Sequence, residues 1–177
     1  MKLEGCSIDT PLGVFSMVAN QGAVIASGFA AVEVVAARIA GGSHELVART
    51  ELGSISRMVK AYFSGDVMAL RDVCVEQPGG PFHRAVWEAL RTIPPGETLT
   101  YGDLAGEAGN PGAARAAGAA CGRNLIAVIV PCHRAVSKTA LVALEGRLNN
   151  YFYGLEAKGW LLRHERARVT PSTYRAE

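Results

Sequence analysis

The chain has 177 residues, 49% of them hydrophobic, so it can bury a core and is too apolar to be intrinsically disordered. Its net charge is only +2, but residues 1–81 carry 6 basic against 8 acidic groups, whereas residues 82–177 carry 12 against 8. The basic excess of the second part is compatible with an anionic partner or with an ordinary solvated surface. No apolar run approaches the roughly 20 residues that span a bilayer.

The first part of the chain is predicted to form a small β-sheet with flanking helices. Short apolar runs separated by turn residues predict strands at 3–8, 14–19 and 23–29. The turn Asn20-Gln21-Gly22 favours a hairpin between the second and third strands. Helical spacing of the apolar residues predicts helices at 32–40 and 54–63.

The second part is predicted to be mostly helical, after a Pro- and Gly-rich linker at 77–81. Apolar spacing and turn residues predict helices at 82–92, 101–108, 113–121 and 155–166, and a buried strand at 125–130. The two short central helices, joined by a turn that contains glycine, have the pattern of a helix-turn-helix. Such a pattern is also common in proteins that do not bind DNA.

The second short helix has an unusual composition. Its sequence AARAAGAAC carries one long side chain, Arg115, among alanines and a glycine. Such a helix buries little apolar area as a core element. Its small side chains would let either another helix or a ligand approach the backbone closely, and the residues alone leave both interpretations open.

The segment VIVPCHRAV places Cys132 and His133 directly after an apolar run that ends at a proline. A thiol becomes a good nucleophile when a nearby base or cation favours the thiolate. Neighbours on an extended chain point to opposite faces, so a turn or a bridging water would have to connect these two side chains. The nearest acid in sequence is Glu145, and Glu165 is a more distant candidate. A buried thiol beside a structural histidine is the alternative.

Four blocks in register resemble the O6-alkylguanine-DNA alkyltransferase family. IVPCHRAV resembles the active-site segment of that family. FHRAVWEALRTIPPGETLTYGDLA, GNPGAARAAGAACGRN and NYFYGLEAKGWLLRHE resemble the segment before the first DNA-binding helix, the recognition helix with its hinge, and the closing loop with the last helix. The N-terminal IDTPLGVFSMVA resembles the small β domain of the family more loosely.

The resemblance implies an α+β protein with two domains. The N-terminal domain, residues 1–76, would be a ribonuclease H-like β-sheet with flanking helices. After the linker at 77–81, residues 82–168 would form a mostly helical, winged-helix-like domain that binds DNA and carries the active site. Residues 169–177 would be a tail.

The resemblance also implies a reaction. Cys132 would accept, once and irreversibly, a methyl or other alkyl group from the O6 of guanine in duplex DNA, and also from the O4 of thymine. His133 would take the thiol proton through water, oriented by Glu165, while Tyr101 would donate to the leaving base. Asn124 would link the recognition helix to the active-site segment.

By the same resemblance, the target nucleotide would be rotated out of the duplex and Arg115 would fill the space it leaves. The implied DNA contacts are Arg115, Tyr101, Ala114, Ala116, Gly118 and Arg123. The implied pocket for the base is lined by Tyr101, Val130, Tyr151, Phe152 and Tyr153.

The segment from Ser137 to Gly154 departs from the family pattern. It is several residues longer than expected, and Phe152 and Tyr153 stand where small residues are usual. Bulk at these positions would narrow the pocket and favour methyl over larger groups, or would turn outward and leave the pocket unchanged.

The cysteines and histidines are not spaced as in zinc sites, so neither a metal nor another cofactor is predicted. Isolated cysteines and the absence of a signal-like N-terminus predict an intracellular protein, cytoplasmic and nucleoid-associated in a prokaryote or nuclear in a eukaryote. Double-stranded DNA is the predicted partner, with no membrane and no obligate protein partner. The alternatives are a lesion-binding relative without chemistry and an unrelated Cys-His hydrolase.

Overall fold

A computed structural model describes residues 1–40, 44–138 and 151–166. These divide into two compact units. The first contains the described residues of Met1–Pro78 and Leu125–Val130, and the second contains those of Gly79–Asn124 and Pro131–Glu177. In the described ranges, no helix is both long and apolar enough to cross a membrane.

A four-stranded mixed sheet forms the centre of the first unit. The strands are β1 (Lys2–Thr10), β2 (Gly13–Asn20), β3 (Ala23–Gly28) and β4 (Glu45–Ala48), in the order β3-β2-β1-β4. Strands β1, β2 and β3 pair antiparallel, and this pairing includes the predicted hairpin between β2 and β3. Strand β4 joins β1 in parallel. Strand β4 was not predicted, because the half-buried run Glu45–Ala48 is too short to show a clear alternation.

The turn between β2 and β3 explains the tight hairpin. Gln21 and Gly22 both have positive φ angles, of 47° and 84°, as a two-residue turn matched to the strand twist requires. One face of the sheet packs against α1 (Val32–Ala36) through a core that contains Leu3, Val18 and Val35. Helix α1 ends at Ala36 and not at the predicted Ala40, whereas α2 (Ser54–Phe63) matches its predicted range.

The predicted strand at 125–130 is wrong. Only Ile126 forms a bridge, to Ser27, and the backbone N–H of Val130 then donates to the carbonyl of Ile126 at 2.9 Å and closes a turn. Val128 lies in this turn with a φ of 70°, which costs a β-branched residue about 1–3 kcal/mol. Tertiary contacts therefore override the strand propensity of this apolar run. They also place Leu125–Val130 in the first unit, whereas the sequence assigned these residues to the second domain.

Helices dominate the second unit. They are α3 (Pro81–Thr92), α4 (Tyr101–Glu107), α5 (Ala114–Gly122) and α6 (Gly154–His164). Helices α3, α4 and α5 contact one another, and the indole Nε1 of Trp87 on α3 donates to the carbonyl of Ala120 on α5 at 2.9 Å. Thr100 caps α4 as predicted, because its hydroxyl accepts from the backbone N–H of Asp103.

Two very short strands connect α4 to the Cys-His segment. Strand β5 (Leu99–Thr100) pairs in parallel with β6 (Ala135–Val136), and Thr100 lies opposite Val136. Helix α4 begins where β5 ends, and β6 begins directly after Cys132–Arg134. The pairing therefore brings the start of α4 close to the segment that carries the cysteine, although 31 residues separate them in sequence.

Candidate active site

Cys132 begins a single 3₁₀ turn that spans Cys132–Arg134. Pro131 precedes the turn with a φ of −83°, and its carbonyl accepts from the backbone N–H of Arg134 at 2.9 Å. A turn at this position is one of the two connections, together with a bridging water, that the sequence predicts for the Cys-His pair. Cys132 is half-buried, and its Sγ accepts a hydrogen bond from Nδ2 of Asn124 at 3.3 Å. A donor at this distance favours the charged form of the sulfur.

His133, Arg134 and Glu165 form a buried network behind the cysteine. Nε2 of His133 lies 2.9 Å from Oε1 of Glu165, and neither side chain is exposed. Arg134 donates from Nε to Oε2 of Glu165 at 2.9 Å and from Nη2 to Oε1 at 2.8 Å. This two-pronged contact matches the planar guanidinium to the planar carboxylate. Both oxygens of Glu165 are therefore occupied and its orientation is set.

The charges of this network follow from burial and pairing. Burial lowers the pKa of His133 and outweighs the opposing attraction of Glu165. The imidazole is therefore neutral at neutral pH. Burial alone raises the pKa of Glu165, but His133 and the hydrogen bonds from Arg134 outweigh it and hold that pKa well below its ordinary value. The ionised carboxylate accepts from Nε2 of His133, which leaves Nδ1 as the basic nitrogen.

Tyr101, Cys121 and Lys158 add a second group of titratable side chains near Cys132. Burial, followed by the proximity of Cys121 and Cys132, raises the pKa of Tyr101 to about 12, so its hydroxyl stays protonated and can donate. Burial likewise raises the pKa of the Cys121 thiol. Lys158 on α6 is 0% exposed, and its Nζ donates to the carbonyl of Ala135 at 2.7 Å.

Three of these residues were missed as site residues by the sequence analysis: Arg134 as the partner of Glu165, Lys158 and Cys121. A signal for Lys158 exists, because Lys158, Leu161, Leu162 and Glu165 repeat at i, i+3, i+4 and i+7. A lysine on the apolar face of a helix indicates a buried ammonium group. Nothing local in the sequence indicates the pairing of Arg134 with Glu165.

The small residues of α5 form a smooth outer face. Arg115 and Ala116 are exposed, Ala114 and Gly118 are half-buried, and Ala117 and Ala120 face the core. Arg123, directly after the helix, is also exposed. Arg115 therefore projects from a surface that has no other long side chain along the helix. Helix α5 also packs on α3. Its small residues therefore allow close packing on one side and leave a smooth exposed surface on the other.

The aromatic residues that precede α6 extend from His133 to the surface. The ring centroid of Tyr151 lies 6.5 Å from that of His133 and 6.0 Å from that of Tyr153. Phe152 packs edge-on against Tyr153 at 4.9 Å, and 67% of Phe152 is exposed. Val130 is buried in the first unit, so its predicted place in the pocket stays a prediction. Glu145 and most of the long segment from Ser137 lie outside the described residues.

Comparison with known proteins gives matches across both units. Residues 81–167 match the family model of the 6-O-methylguanine DNA methyltransferase DNA-binding domain. The methylated-DNA–protein-cysteine methyltransferase of Salmonella typhimurium is 43% identical over 122 residues, which are 69% of this chain and 68% of the relative. The namesake from Methanosarcina acetivorans is 46% identical over 110 residues, covering 62% and 66%.

Solved structures resemble nearly the whole chain. The O6-methylguanine methyltransferase of Mycobacterium tuberculosis superposes with a TM-score of 0.75 at 30% identity and covers 96% of both chains. The structure of the Mycobacterium tuberculosis OGT in complex with DNA gives 0.74 at 31% identity, with the same coverage. The predicted α+β class is confirmed, whereas the ribonuclease H-like and winged-helix-like descriptions stay predictions. The chain belongs to the methylated-DNA–protein-cysteine methyltransferase family.

Proposed function

We propose that this protein repairs duplex DNA by moving a methyl or other alkyl group from the O6 of guanine onto Cys132. The half-buried thiol that accepts from Asn124, beside the buried pair of His133 and Glu165, carries the proposal. Family membership supports it, because the relatives are named for this reaction.

The transfer is an in-line displacement at the alkyl carbon. The sulfur of Cys132 forms a new bond to that carbon while the bond from carbon to O6 breaks, and the electron pair of the broken bond goes to the purine. The hydroxyl of Tyr101 donates to the base as this charge develops, which fits its raised pKa. The products are guanine and a stable thioether, so each molecule acts once.

His133 removes the thiol proton through a water molecule. Its Nε2 is committed to Glu165, and Nδ1 has no hydrogen-bond partner among the described residues. Nδ1 is therefore the nitrogen that can accept the proton. Glu165 fixes the ring orientation and stabilises the imidazolium that forms, as an orienting carboxylate does in other nucleophile relays.

DNA binding is assigned to the face of α5. Its small residues Ala114, Ala116 and Gly118 allow the backbone to approach the duplex closely, and Arg123 offers a phosphate contact. The alkylated nucleotide rotates out of the stack into a pocket near Tyr151, Phe152 and Tyr153, and Arg115 takes its place. The O4 of thymine is a second proposed substrate atom. The proposed place of action is the cellular compartment that contains the DNA, the nucleoid in a prokaryote or the nucleus in a eukaryote.

Transfer of label tests the proposal. Duplex DNA with radiolabelled O6-methylguanine should place one methyl group per protein molecule on Cys132, located by peptide mass spectrometry. Cys132→Ser should accept none and should still bind the DNA. DNA binding without label in the unsubstituted protein would indicate a lesion-binding relative without chemistry, and burst kinetics on acyl esters would indicate a Cys-His hydrolase.

Arg115 is expected to affect extrusion of the nucleotide from the duplex and not the alkyl-transfer step. Arg115→Ala should slow repair of duplex DNA by about tenfold or more, because losing the wedge leaves the cost of a few kcal/mol for extrusion uncompensated. Reaction with the free base O6-methylguanine needs no extrusion and should keep its rate. Single-turnover rates on both substrates give the comparison, with Arg163→Ala on α6 as the control. Equal slowing on both substrates would contradict the role as a wedge.

A further inference from the structure

The segment Leu125–Val130 joins two side chains that meet at the reactive sulfur. Asn124 directly precedes the segment, and Cys132 follows it after one proline. Nδ2 of Asn124 donates to Sγ of Cys132 at 3.3 Å, so the segment and its flanking residues form a loop that is closed by this contact. A change in the backbone of the segment would therefore move one partner of the contact relative to the other.

The segment has a conformation that needs support. Ile126 bridges to β3, and the chain then turns back on itself, because the backbone N–H of Val130 donates to the carbonyl of Ile126 at 2.9 Å. Val128 has a φ of 70°, which a β-branched residue adopts only where the surrounding structure imposes it. Contacts from outside the segment are therefore required to keep it in this conformation.

Ser27 on β3 makes three hydrogen bonds to the segment. Its backbone N–H donates to the carbonyl of Leu125 at 2.9 Å, and its own carbonyl accepts from the N–H of Ala127 at 3.2 Å. Its hydroxyl donates to the carbonyl of Ala127 at 2.8 Å, and the residue is 0% exposed. A single buried serine therefore fixes two residues of the segment, partly through its side chain.

Gln77 adds a second side-chain contact at the start of the segment. Its Oε1 accepts from the backbone N–H of Leu125 at 2.9 Å. Just before it, the carbonyl of Cys74 and the N–H of Glu76 hydrogen-bond to the two backbone groups of Val24 on β3, at 2.9 Å each. The same strand therefore fixes the chain that carries Gln77 and the segment that Gln77 contacts.

The surroundings of the segment make these polar contacts important. None of the residues from Ile126 to Val130 is more than 3% exposed, so water does not compete for their backbone groups. The carbonyl of Ala127 also accepts from the N–H of Ile129 at 2.9 Å. Loss of the Ser27 hydroxyl would therefore loosen the segment without leaving that carbonyl unpaired, and the substituted protein should still fold.

We propose that Ser27 is a positioning residue for the transfer reaction and that Gln77 assists it. Their hydrogen bonds hold the segment in the turned conformation that sets Nδ2 of Asn124 against Sγ of Cys132. The proposal deepens the proposed function and rests on it. It gives a role in the reaction to β3, a strand that carries none of the residues assigned to the chemistry.

Two buried serines of the same sheet give a matched test. Ser16 on β2 is also 0% exposed, and its hydroxyl donates to the carbonyl of Ala30 at 2.6 Å and contacts the hydroxyl of Ser7 at 2.8 Å. Ser16→Ala should therefore lower the free energy of unfolding at least as much as Ser27→Ala. Only Ser27→Ala should lower the single-turnover rate at saturating methylated duplex, by about tenfold or more, because displaced reacting groups react slowly.

Two further readouts separate positioning from a general loss of structure. The dissociation constant for DNA should be unchanged in Ser27→Ala, because the proposed DNA-binding face lies on α5. In an Asn124→Ala background the contact with Cys132 is already lost, so adding Ser27→Ala should slow transfer by less than about twofold. The proposal is overturned by equal slowing in both backgrounds, by an unchanged rate in Ser27→Ala, or by the same slowing in Ser16→Ala.

Gln77 provides a test that does not depend on the folding of a variant at Ser27, because Gln77 is only half-buried. Gln77→Met removes the accepting oxygen at similar size and should slow transfer severalfold. Gln77→Glu keeps an oxygen that can accept from the N–H of Leu125 and should restore most of the rate. A rate in Gln77→Met equal to that of the unsubstituted protein would contradict the proposal.

Amide hydrogen exchange, followed by mass spectrometry, measures the hold on the segment without DNA. The peptide that covers Leu125–Val130 should exchange faster in Ser27→Ala than in the unsubstituted protein or in Ser16→Ala. Unchanged exchange in Ser27→Ala would overturn the proposal. If the exchange is faster as expected but the unsubstituted protein takes no methyl group from DNA, the proposed alkyl transfer is rejected and the hold of Ser27 on the segment stands.

Discussion

Glu165 is the residue on which the buried network depends. Its two oxygens accept from Arg134 and from His133, and all three side chains are almost completely removed from water. An ion pair in such a place contributes little net stability against an apolar substitute, but removal of one partner leaves an uncompensated charge. Arg134 therefore helps to keep Glu165 ionised, and the carboxylate of Glu165 sets the orientation of the His133 ring.

Substitution of Arg134 should lower the free energy of unfolding, and a second substitution at Glu165 should restore part of it. Arg134→Met leaves the carboxylate of Glu165 buried and should lower the free energy of unfolding by about 3–5 kcal/mol. Adding Glu165→Gln removes the orphaned charge, so the double variant should recover part of that loss. Urea denaturation of the two single variants and the double variant completes a cycle. Strictly additive losses would show that the two residues do not interact.

At the scale of elements, α3 supports α5. Pro81 stands at the start of α3, where a proline costs no hydrogen bond, and Trp87 reaches from α3 to the carbonyl of Ala120 on α5. The indole also packs against the backbone of Gly79. A Cβ added at Gly79 would lie 2.5 Å from Cζ3 of Trp87, closer than atoms can approach. Because Gly79 has no side chain, the indole of Trp87 can lie directly against its backbone.

Adjacent glycines offer a matched test of this contact. Gly79→Ala should lower the free energy of unfolding by about 1–3 kcal/mol, because the rigid indole has to move to admit the methyl group. Gly80→Ala should have a much smaller effect, since nothing lies within 4 Å of its added Cβ. Thermal denaturation gives the stability of each variant, and tryptophan fluorescence in a Trp160→Phe background reports the surroundings of Trp87, because the chain has two tryptophans. Equal effects of the two substitutions would rule out this steric account.

At the scale of the whole molecule, the buried ionisable groups make stability depend on pH. The pKa values of His133 and Glu165 are both lowered in the folded state, so the unfolded chain binds more protons in acid. The contribution of His133 is complete above its ordinary value of 6.5 and is lost as the pH falls from there. The contribution of Glu165 is complete above 4.5 and is lost as the pH falls below that value.

The free energy of unfolding should therefore fall in two stages between pH 7 and strongly acidic solution. His133→Gln should remove the upper stage, which begins near pH 6.5, and should reduce the lower stage without abolishing it, because His133 and Arg134 together hold the pKa of Glu165 down. His164→Gln, on the more exposed part of α6, serves as the control and should retain both. Urea denaturation across this pH range checks the prediction, and a rise in stability on acidification would contradict it.

The sequence by itself determined the parts whose physics is local. Turn residues placed the hairpins of the sheet, apolar periodicity placed α2, α3 and α5 to within a residue or two, and Thr100 capped α4. The four sequence blocks identified the family, and Cys132, His133, Glu165, Tyr101 and Asn124 all lie in the second unit.

Only the tertiary structure decided the rest. The apolar run at 125–130 became a turn in the first unit because Ser27 bridges Ile126, and the positive φ of Val128 is tolerated only under those contacts. The fork of Arg134 on Glu165 and the burial of Lys158 join residues more than 20 positions apart. Such charges acquire their pKa values from burial and from partners distant in sequence. Helical spacing indicates the burial of Lys158, but no local pattern indicates its partner or that of Arg134.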